Sequence, residues 1–549
     1  MWPILAINVA CVFLLNKSWI KAESYRYSTI MEQSGVLSSN IEGEVKESKH
    51  GTHEHPKRIG KPTVTLRKEL GIVSGVGLIF GNVIGSGIFI TTSSILGYTQ
   101  SFGLTLIAWV VGGLIALIGS LCYCELGTMI QKSGSEYAYI LEAYSFRRKN
   151  KYLRTVGEML AFTNVWYDFL VGNPASLAIP LLTFGNYLCR PFFIGCPELP
   201  VLPVKLIALA ALIMSTLVNI YSVKWANRVS NWLSFLKFIS LAFIVVLGIY
   251  HIIANRCFSS DASSPFNGAT KDISSIALAL YGVMYAYDGW DALNMMQEEV
   301  KDIERVLPRA ILIAIPLVVL SYVAVNVAFF AVLSYEEIES SEAVGLVFAN
   351  AVIGNAGLII VPFMVALATF SSAHVSLLSQ SRKLFVSSRD GIMPECLAGV
   401  HITHRTPIPA VLCVSIFSAI LICIGTIDQI INAFVATVWF FYGLAIVGIF
   451  IMRLTEPERN RPFKVWLILP MFMVLAIGFL VVMPLLQNAV PQLIAFGATF
   501  LGIPVYFVLV MESPWKIRPK IMDKFSGSLT VFVNSLLVTK SSRVIKKTI

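Results

Sequence analysis

The sequence predicts an all-α polytopic membrane protein of twelve transmembrane helices, and three observations carry that prediction. Of its 549 residues, 56% are hydrophobic and only 13% charged, where an average soluble domain carries about a quarter charged residues. Apolar windows of about 20 residues, enough to cross the hydrocarbon of a bilayer, occur twelve times. The basic residues are one-sided: 37 of the 42 Lys and Arg lie in alternate connections and in the two ends, three (Arg190, Arg256 and Lys271) lie on the opposite side, and two (Lys205 and Lys237) lie within spans. By the positive-inside rule this places both termini in the cytoplasm. It also accounts for the net charge of +10 without a nucleic-acid partner.

In chain order, residues 1–70 come first. Their opening stretch, MWPILAINVACVFLLNKSWI, has a run of about 14 apolar residues but no preceding basic residue and no small-residue cleavage site, so it reads as an extension and not as a secretory signal. Residues 21–70, with KESKHGTHEHPKR, are too polar and too charged to form a core and are expected to be disordered. The transporter domain spans 71–511, with spans 1 to 5 at 71–97, 103–130, 156–188, 201–221 and 230–253. Spans 6 to 12 follow at 273–297, 308–334, 357–382, 408–426, 429–452, 463–486 and 489–511, and a basic cytoplasmic tail, 512–549, closes the chain.

Span 1 contains GNVIGSGIFI (81–90), with three glycines and a serine that weaken a helix interior. Open backbone in lipid survives only where it lines a polar cavity or is buried in protein. Span 6 has a matching interruption, YAYDGWDALN (285–294). The two occupy corresponding positions in consecutive five-span halves, the mark of an inverted-repeat transporter. Breaking span 1 at Gly85 to Gly87 frees N–H groups and a positive dipole end that suit a carboxylate. Breaking span 6 at Tyr287 to Gly289 frees carbonyls that suit an ammonium, so the pair suits an α-amino acid; close helix packing at the glycines is the other reading of these breaks.

GNVIGSGIFI resembles the first-helix signature of the amino acid, polyamine and organocation superfamily, and more narrowly of the light chains of heteromeric amino-acid transporters. Family blocks recur in order in ELGTMIQKSGSEYAYILEAY (125–144), NPASLAIPLLTFGNYL (173–188), YDGWDALNMMQEEVKDIERVLPRA (287–310), ALATFSSAHVSLLSQSRKLFVSSRDG (366–391) and RLTEPERNRPFKVWLILP (453–470), so the resemblance covers about residues 65–515. It implies a leucine-transporter-type fold: a 5+5 inverted repeat with helices 1 and 6 broken and spans 11 and 12 outside the repeats. It implies a sodium-independent amino-acid exchanger of the plasma membrane, working by alternating access. Ile84, Gly85, Ser86 and Gly87 would receive the substrate carboxylate, and main-chain carbonyls of Tyr285, Ala286 and Asp288 the amino group, with Tyr285 as an aromatic gate.

Asp288 stands where large-neutral members have glycine and agrees with members resembling the cystine and dibasic exchanger. An aspartate near the midplane is costly, and a Lys or Arg substrate would offset it; a half-helix cap or a protein cation is the structural alternative. Asp291, an asparagine in most of the family, reads mainly as the N-cap of the second half-helix. Lys237, isolated in span 5, falls where sodium-coupled relatives bind Na⁺, so its ammonium would replace the ion. His374 reads as a hydrogen-bonded core histidine. Glu125, Glu298 and Glu299 are expected to pair with loop cations such as Arg309.

Of nine cysteines, Cys122, Cys124, Cys413 and Cys423 lie in spans as small apolar fillers, and Cys189, Cys196 and Cys257 reach the outer side. Cys196 matches the family cysteine that forms a disulfide with a glycosylated single-span heavy chain; a bridge to Cys189 is the alternative. The one sequon, Asn16-Lys17-Ser18, is on the cytoplasmic side, so no glycan is expected on this chain. An intramembrane enzyme is disfavoured because HExxH, a nucleophile elbow and a phosphate loop are all missing, and no cofactor or metal is expected. A large-neutral exchanger, sodium-assisted exchange and an amino-acid-sensing receptor stand as the alternatives to a cationic and neutral exchanger.

Overall fold

The structure is a computed structural model and describes residues 68–145, 151–193, 199–255, 264–341, 343–425, 427–487, 489–510, 520–537 and 539–541. It is helical almost throughout. Among the described residues, seven helical runs are long and apolar enough to cross a membrane: Ile72–Ile90, Phe102–Met129, Val201–Tyr221, Val223–Ala254, Ile303–Val332, Val344–Arg389 and Phe434–Thr455. Shorter apolar helices at Ile273–Ala286, Ile408–Ile424, Ile468–Met483 and Gln492–Phe507 supply spans 6, 9, 11 and 12. Span 3 runs from Lys151 to Cys189 through a π-helical turn at Asp168–Gly172, and Glu158 and Asp168 lower its hydropathy. Residues 1–67 of the N-terminal segment and residues 512–519, 538 and 542–549 of the C-terminal tail lie outside the described residues.

The two halves are related by exchanging spans 1 to 5 with spans 6 to 10. Span 1 packs on span 7 as span 6 packs on span 2, span 5 on span 1 as span 10 on span 6, and span 3 on span 4 as span 8 on span 9. Spans 3 and 8, 2 and 7, and 4 and 9 pack directly on their own counterparts. Five spans is an odd number, so the second half enters from the opposite face and the repeat is inverted.

Apolar and charged residues are arranged the reverse of a soluble protein. Leu206, Ile213 and Leu217 on span 4 and Trp232, Phe235, Ile239 and Val246 on span 5 are exposed at helical spacing, a surface made for lipid. The charges are within. Glu299 and Arg382 pair at 2.8 Å with side chains 1% and 0% exposed, Arg453 grips Glu125 through two bonds of 3.0 and 2.5 Å, and Arg389 holds Glu298 at 2.7 and 2.6 Å. Cations at or beyond the ends of the apolar stretches pair with Glu125, Glu298 and Glu299 as expected, but they are Arg453, Arg389 and Arg382 and not Arg309. The partners come from spans 8 and 10, because span 8 continues to Arg389, beyond its apolar stretch.

Helices beyond the sequence reading appear at Glu136–Tyr144, between spans 2 and 3, and at Tyr335–Glu339 and Val344–Ile353, between spans 7 and 8. In the C-terminal region a helix, Lys520–Leu536, leads to a strand, β2 (Thr539–Ser541), that pairs antiparallel with β1 (Gly399–His401) in the connection from span 8 to span 9.

Removing one member of a buried pair strands a charge and costs about 3–5 kcal/mol, whereas replacing both with apolar residues is often neutral. Arg382→Leu is therefore expected to lower the unfolding temperature in detergent markedly, and Arg382→Leu with Glu299→Leu to recover most of it, as read by thermal-shift size-exclusion chromatography.

Candidate functional site

Span 1 is helical from Ile72 to Val83 and again from Gly87. Thr91 N donates to Gly87 O at 2.9 Å and Ile95 N to Thr91 O at 2.8 Å, so the second half continues through a bend to Thr99. The N–H groups of Gly85, Ser86, Gly87 and Ile88 have no backbone acceptor among the described residues. Ile84 departs from the sequence reading. Its N–H is spent on Phe80 O at 3.1 Å and its carbonyl on Lys237, so it offers the site no free donor.

Span 6 is helical over Ile273–Ala286 and Ala292–Met295, with Tyr287 to Asp291 forming the break. Gly289 adopts φ +91, a left-handed conformation that favours glycine. The two breaks touch: a Cβ on Gly87 would lie 2.6 Å from Ala286 Cα, so only glycine permits this approach. Tyr285 OH is 3.2 Å from Ser86 Oγ, which places the expected gate against the expected carboxylate serine.

Neighbouring spans take up the other backbone groups released by the breaks. The buried Lys237 ammonium donates to Gly81 O at 2.7 Å and to Ile84 O, tying span 5 to span 1. Tyr322 OH on span 7 lies 2.9 Å from both Val83 O and Ala286 O. Asn82 Nδ2 donates to Gly289 O at 3.0 Å.

A cavity opens beside the breaks. Gly85, Ser86, Gly87, Tyr285, Ala286 and Asp288 all line it. Asp288 is half-buried and accepts from Tyr442 OH at 2.9 Å. No described Lys or Arg is within ion-pair distance of it, so the protein-cation alternative fails among the described residues. Asp291 occupies the N-cap position but makes no cap bond. Its carboxylate instead accepts from Ser135 Oγ at 2.8 Å and more distantly from Tyr442 OH at 3.5 Å, so the expected N-cap role is corrected to a link between span 6 and the Glu136–Tyr144 helix.

Sequence reasoning missed the end of the cavity where Lys383 Nζ lies 2.5 Å from Glu136 and 2.6 Å from Asp168. Asp168 was legible, because an acid inside an apolar span signals a functional position. Lys383 had been assigned to the connection after span 8, and nothing local marked Glu136. His374 is the hydrogen-bonded core histidine expected: Nε2 donates to Ala226 O at 3.2 Å, and Nδ1 accepts, with Ser215 Oγ at 3.1 Å and Asn219 Nδ2 at 3.3 Å. Cys196 lies outside the described residues. Cys189 is buried and unbridged.

Paired broken helices at the interface of two inverted repeats, with a cavity between them, define a secondary transporter. The amino acid permease family model matches residues 70–510. Over 503 residues the chain is 35% identical to the human cystine/glutamate transporter, covering 92% of this chain and 95% of the relative. It is 38% identical over 426 residues to the human b(0,+)-type amino acid transporter 1, covering 78% and 84%, and 36% identical over 476 residues to the mouse large neutral amino acids transporter small subunit 2, covering 86% of each. The chain belongs to the amino acid permease family, among the light chains of heteromeric amino-acid transporters. It is an amino-acid transporter and not an enzyme.

Lys237 bonds two carbonyls of the span 1 break, and an unpaired group in lipid costs several kcal/mol. Lys237→Met is expected to reduce amino-acid uptake at least about tenfold per transporter at the membrane, about 1.4 kcal/mol and so less than the cost of one such group, measured as labelled uptake normalised to surface protein.

Proposed function

We propose that the protein is a sodium-independent exchanger of cationic and neutral L-amino acids in the plasma membrane, working by alternating access as the light subunit of a disulfide-linked heterodimer. The N–H groups of Gly85, Ser86 and Gly87 receive the carboxylate, with the Ser86 hydroxyl beside them. The carbonyls of Tyr285, Ala286 and Asp288 receive the ammonium, and the Tyr285 ring closes the site from outside. Lys237 substitutes for a sodium ion by occupying the carbonyls of Gly81 and Ile84. The excess of Lys and Arg on one side supports cytoplasmic termini, and Cys196 then faces outward to meet a glycosylated heavy chain.

The observation that carries the specificity is Asp288, a cavity-lining carboxylate whose recorded side-chain partner is a tyrosine hydroxyl. Opposite charges about 4 Å apart attract by about 4 kcal/mol at an effective dielectric near 20. Desolvation removes part of that, and a remainder of about 1–2 kcal/mol, roughly tenfold in affinity, admits Lys and Arg. Neutral amino acids still use the main-chain groups, with water or a proton meeting the aspartate. An anionic substrate, such as the cystine/glutamate relative's name indicates for that protein, would meet Asp288 as a like charge.

Asp288→Gly is expected to weaken arginine uptake about tenfold while leucine uptake falls far less. Equal losses would show that Asp288 supports the helix break without reading the side chain, and unchanged arginine uptake would favour a large-neutral exchanger. Cys196→Ser, run on a non-reducing gel with its partner, is expected to lose the high-mass band; persistence of the band would assign the link elsewhere.

A further inference from the structure

Asn82 sits one residue before the end of the first half of span 1, 8% exposed and lining the cavity. Its side chain joins three elements. Nδ2 donates to Gly289 O in the span 6 break at 3.0 Å, and Oδ1 accepts from Ser376 Oγ on span 8 at 2.8 Å. Its own carbonyl accepts from Ser372 Oγ, one turn away on span 8, at 3.0 Å. Gly289 completes the arrangement from the other side, since its positive φ directs the backbone toward Asn82 and the Asn82 side chain occupies the space a Cβ there would need.

We propose that Asn82 is a positioning residue that fixes the distance between the carboxylate end of the site, on span 1, and the ammonium end, on span 6, and thereby selects α-amino acids over their longer homologues. The proposal rests on the reading of the two breaks as an α-amino-acid site. A second bridge between the breaks, Tyr322 OH, lies 2.9 Å from both Val83 O and Ala286 O. A hydroxyl has one proton to donate, so Tyr322 serves the two carbonyls by turns. The Asn82 amide is committed at both ends, its donor to span 6 and its acceptor to span 8. An amide is uncharged and treats Arg and Leu side chains alike, so its effect falls on the part all α-amino acids share. In an α-amino acid one carbon separates the carboxylate from the ammonium, and in a β-amino acid two. A fixed spacing therefore favours the α form, and a loosened one tolerates both.

The test uses the full-length chain co-expressed with its heavy chain or reconstituted in proteoliposomes. The concentrations of leucine, arginine and β-homoleucine that half-inhibit labelled leucine uptake are measured for wild type, Asn82→Asp, Asn82→Ala and Ser376→Ala, each normalised to surface protein. Asn82→Asp keeps the size and the acceptor for Ser376 but sets a carboxylate oxygen against Gly289 O. Ser376→Ala leaves Asn82 in place and removes only its hold on span 8, so it carries the test if the Asn82 variants fold poorly. In the Asn82 variants the half-inhibiting concentrations of leucine and arginine should rise together. The preference for leucine over β-homoleucine should narrow about threefold or more, the size of one ordinary hydrogen bond, with a smaller change in the same direction for Ser376→Ala. A purely structural role lowers surface protein and maximal rate and leaves that ratio unmoved. An unchanged ratio in Asn82→Asp and Ser376→Ala, or a loss confined to arginine, overturns the proposal while leaving the site reading intact. A wild-type protein whose leucine uptake neither leucine nor arginine inhibits overturns the site reading, and the proposal with it.

Discussion

An unpaired backbone group in lipid costs several kcal/mol, and the architecture around spans 1 and 6 follows from that constraint. Breaking two helices releases carbonyls that neighbouring spans must satisfy. Lys237 on span 5 takes Gly81 and Ile84, Tyr322 on span 7 serves Val83 and Ala286, and Asn82 takes Gly289. On span 1 the N–H groups of Gly85, Ser86 and Gly87 are left without a backbone acceptor among the described residues, and these residues line the cavity. The breaks are thus tolerated because three neighbouring side chains pin the carbonyls, and the donors left over are those a carboxylate can use.

Charge follows the same logic at the other end of the cavity. Lys383 with Glu136 and Asp168, Arg382 with Glu299, and Arg453 with Glu125 lie inside the helix bundle, each charge met by an opposite one. Buried pairs contribute little net stability over apolar replacements but are costly to break singly, so they fix which helix faces which. Asp291 has hydroxyl partners and no cation among the described residues: Ser135 Oγ lies 2.8 Å from it and equally from Glu136, and Tyr442 OH is nearer to Asp288. Asp288, half-open to the cavity and held by Tyr442, is the carboxylate left to interact with whatever enters.

Much of this was legible in the chain. The twelve spans and both breaks follow from hydropathy and misplaced glycines, since lipid imposes a simple rule on long apolar windows. Lys237 was legible through the family resemblance, which set it against the break in span 1, where it bonds Gly81 O and Ile84 O. The failures have a common cause, which is that partners far apart in sequence leave no local trace. Glu125 was expected to meet a cation such as Arg309, yet its partner is Arg453, 328 residues away. Lys383 was placed beyond span 8 because the apolar window ends before the helix does. Asp291 has the position of an N-cap, but a nearby serine on another helix competes for its carboxylate. Ile84 belongs to the right segment, and only the bond from its N–H to Phe80 shows that it is helix and not break.

Exchange through one site open to each side in turn requires that uptake depend on amino acid already inside. Counterflow in proteoliposomes measures this directly, with labelled arginine outside, arginine, leucine or buffer alone inside, and no sodium on either face. The account predicts rapid labelled-arginine uptake with either amino acid inside and little with buffer alone. Equal uptake into empty and loaded vesicles, or a strict need for sodium with arginine, would contradict it.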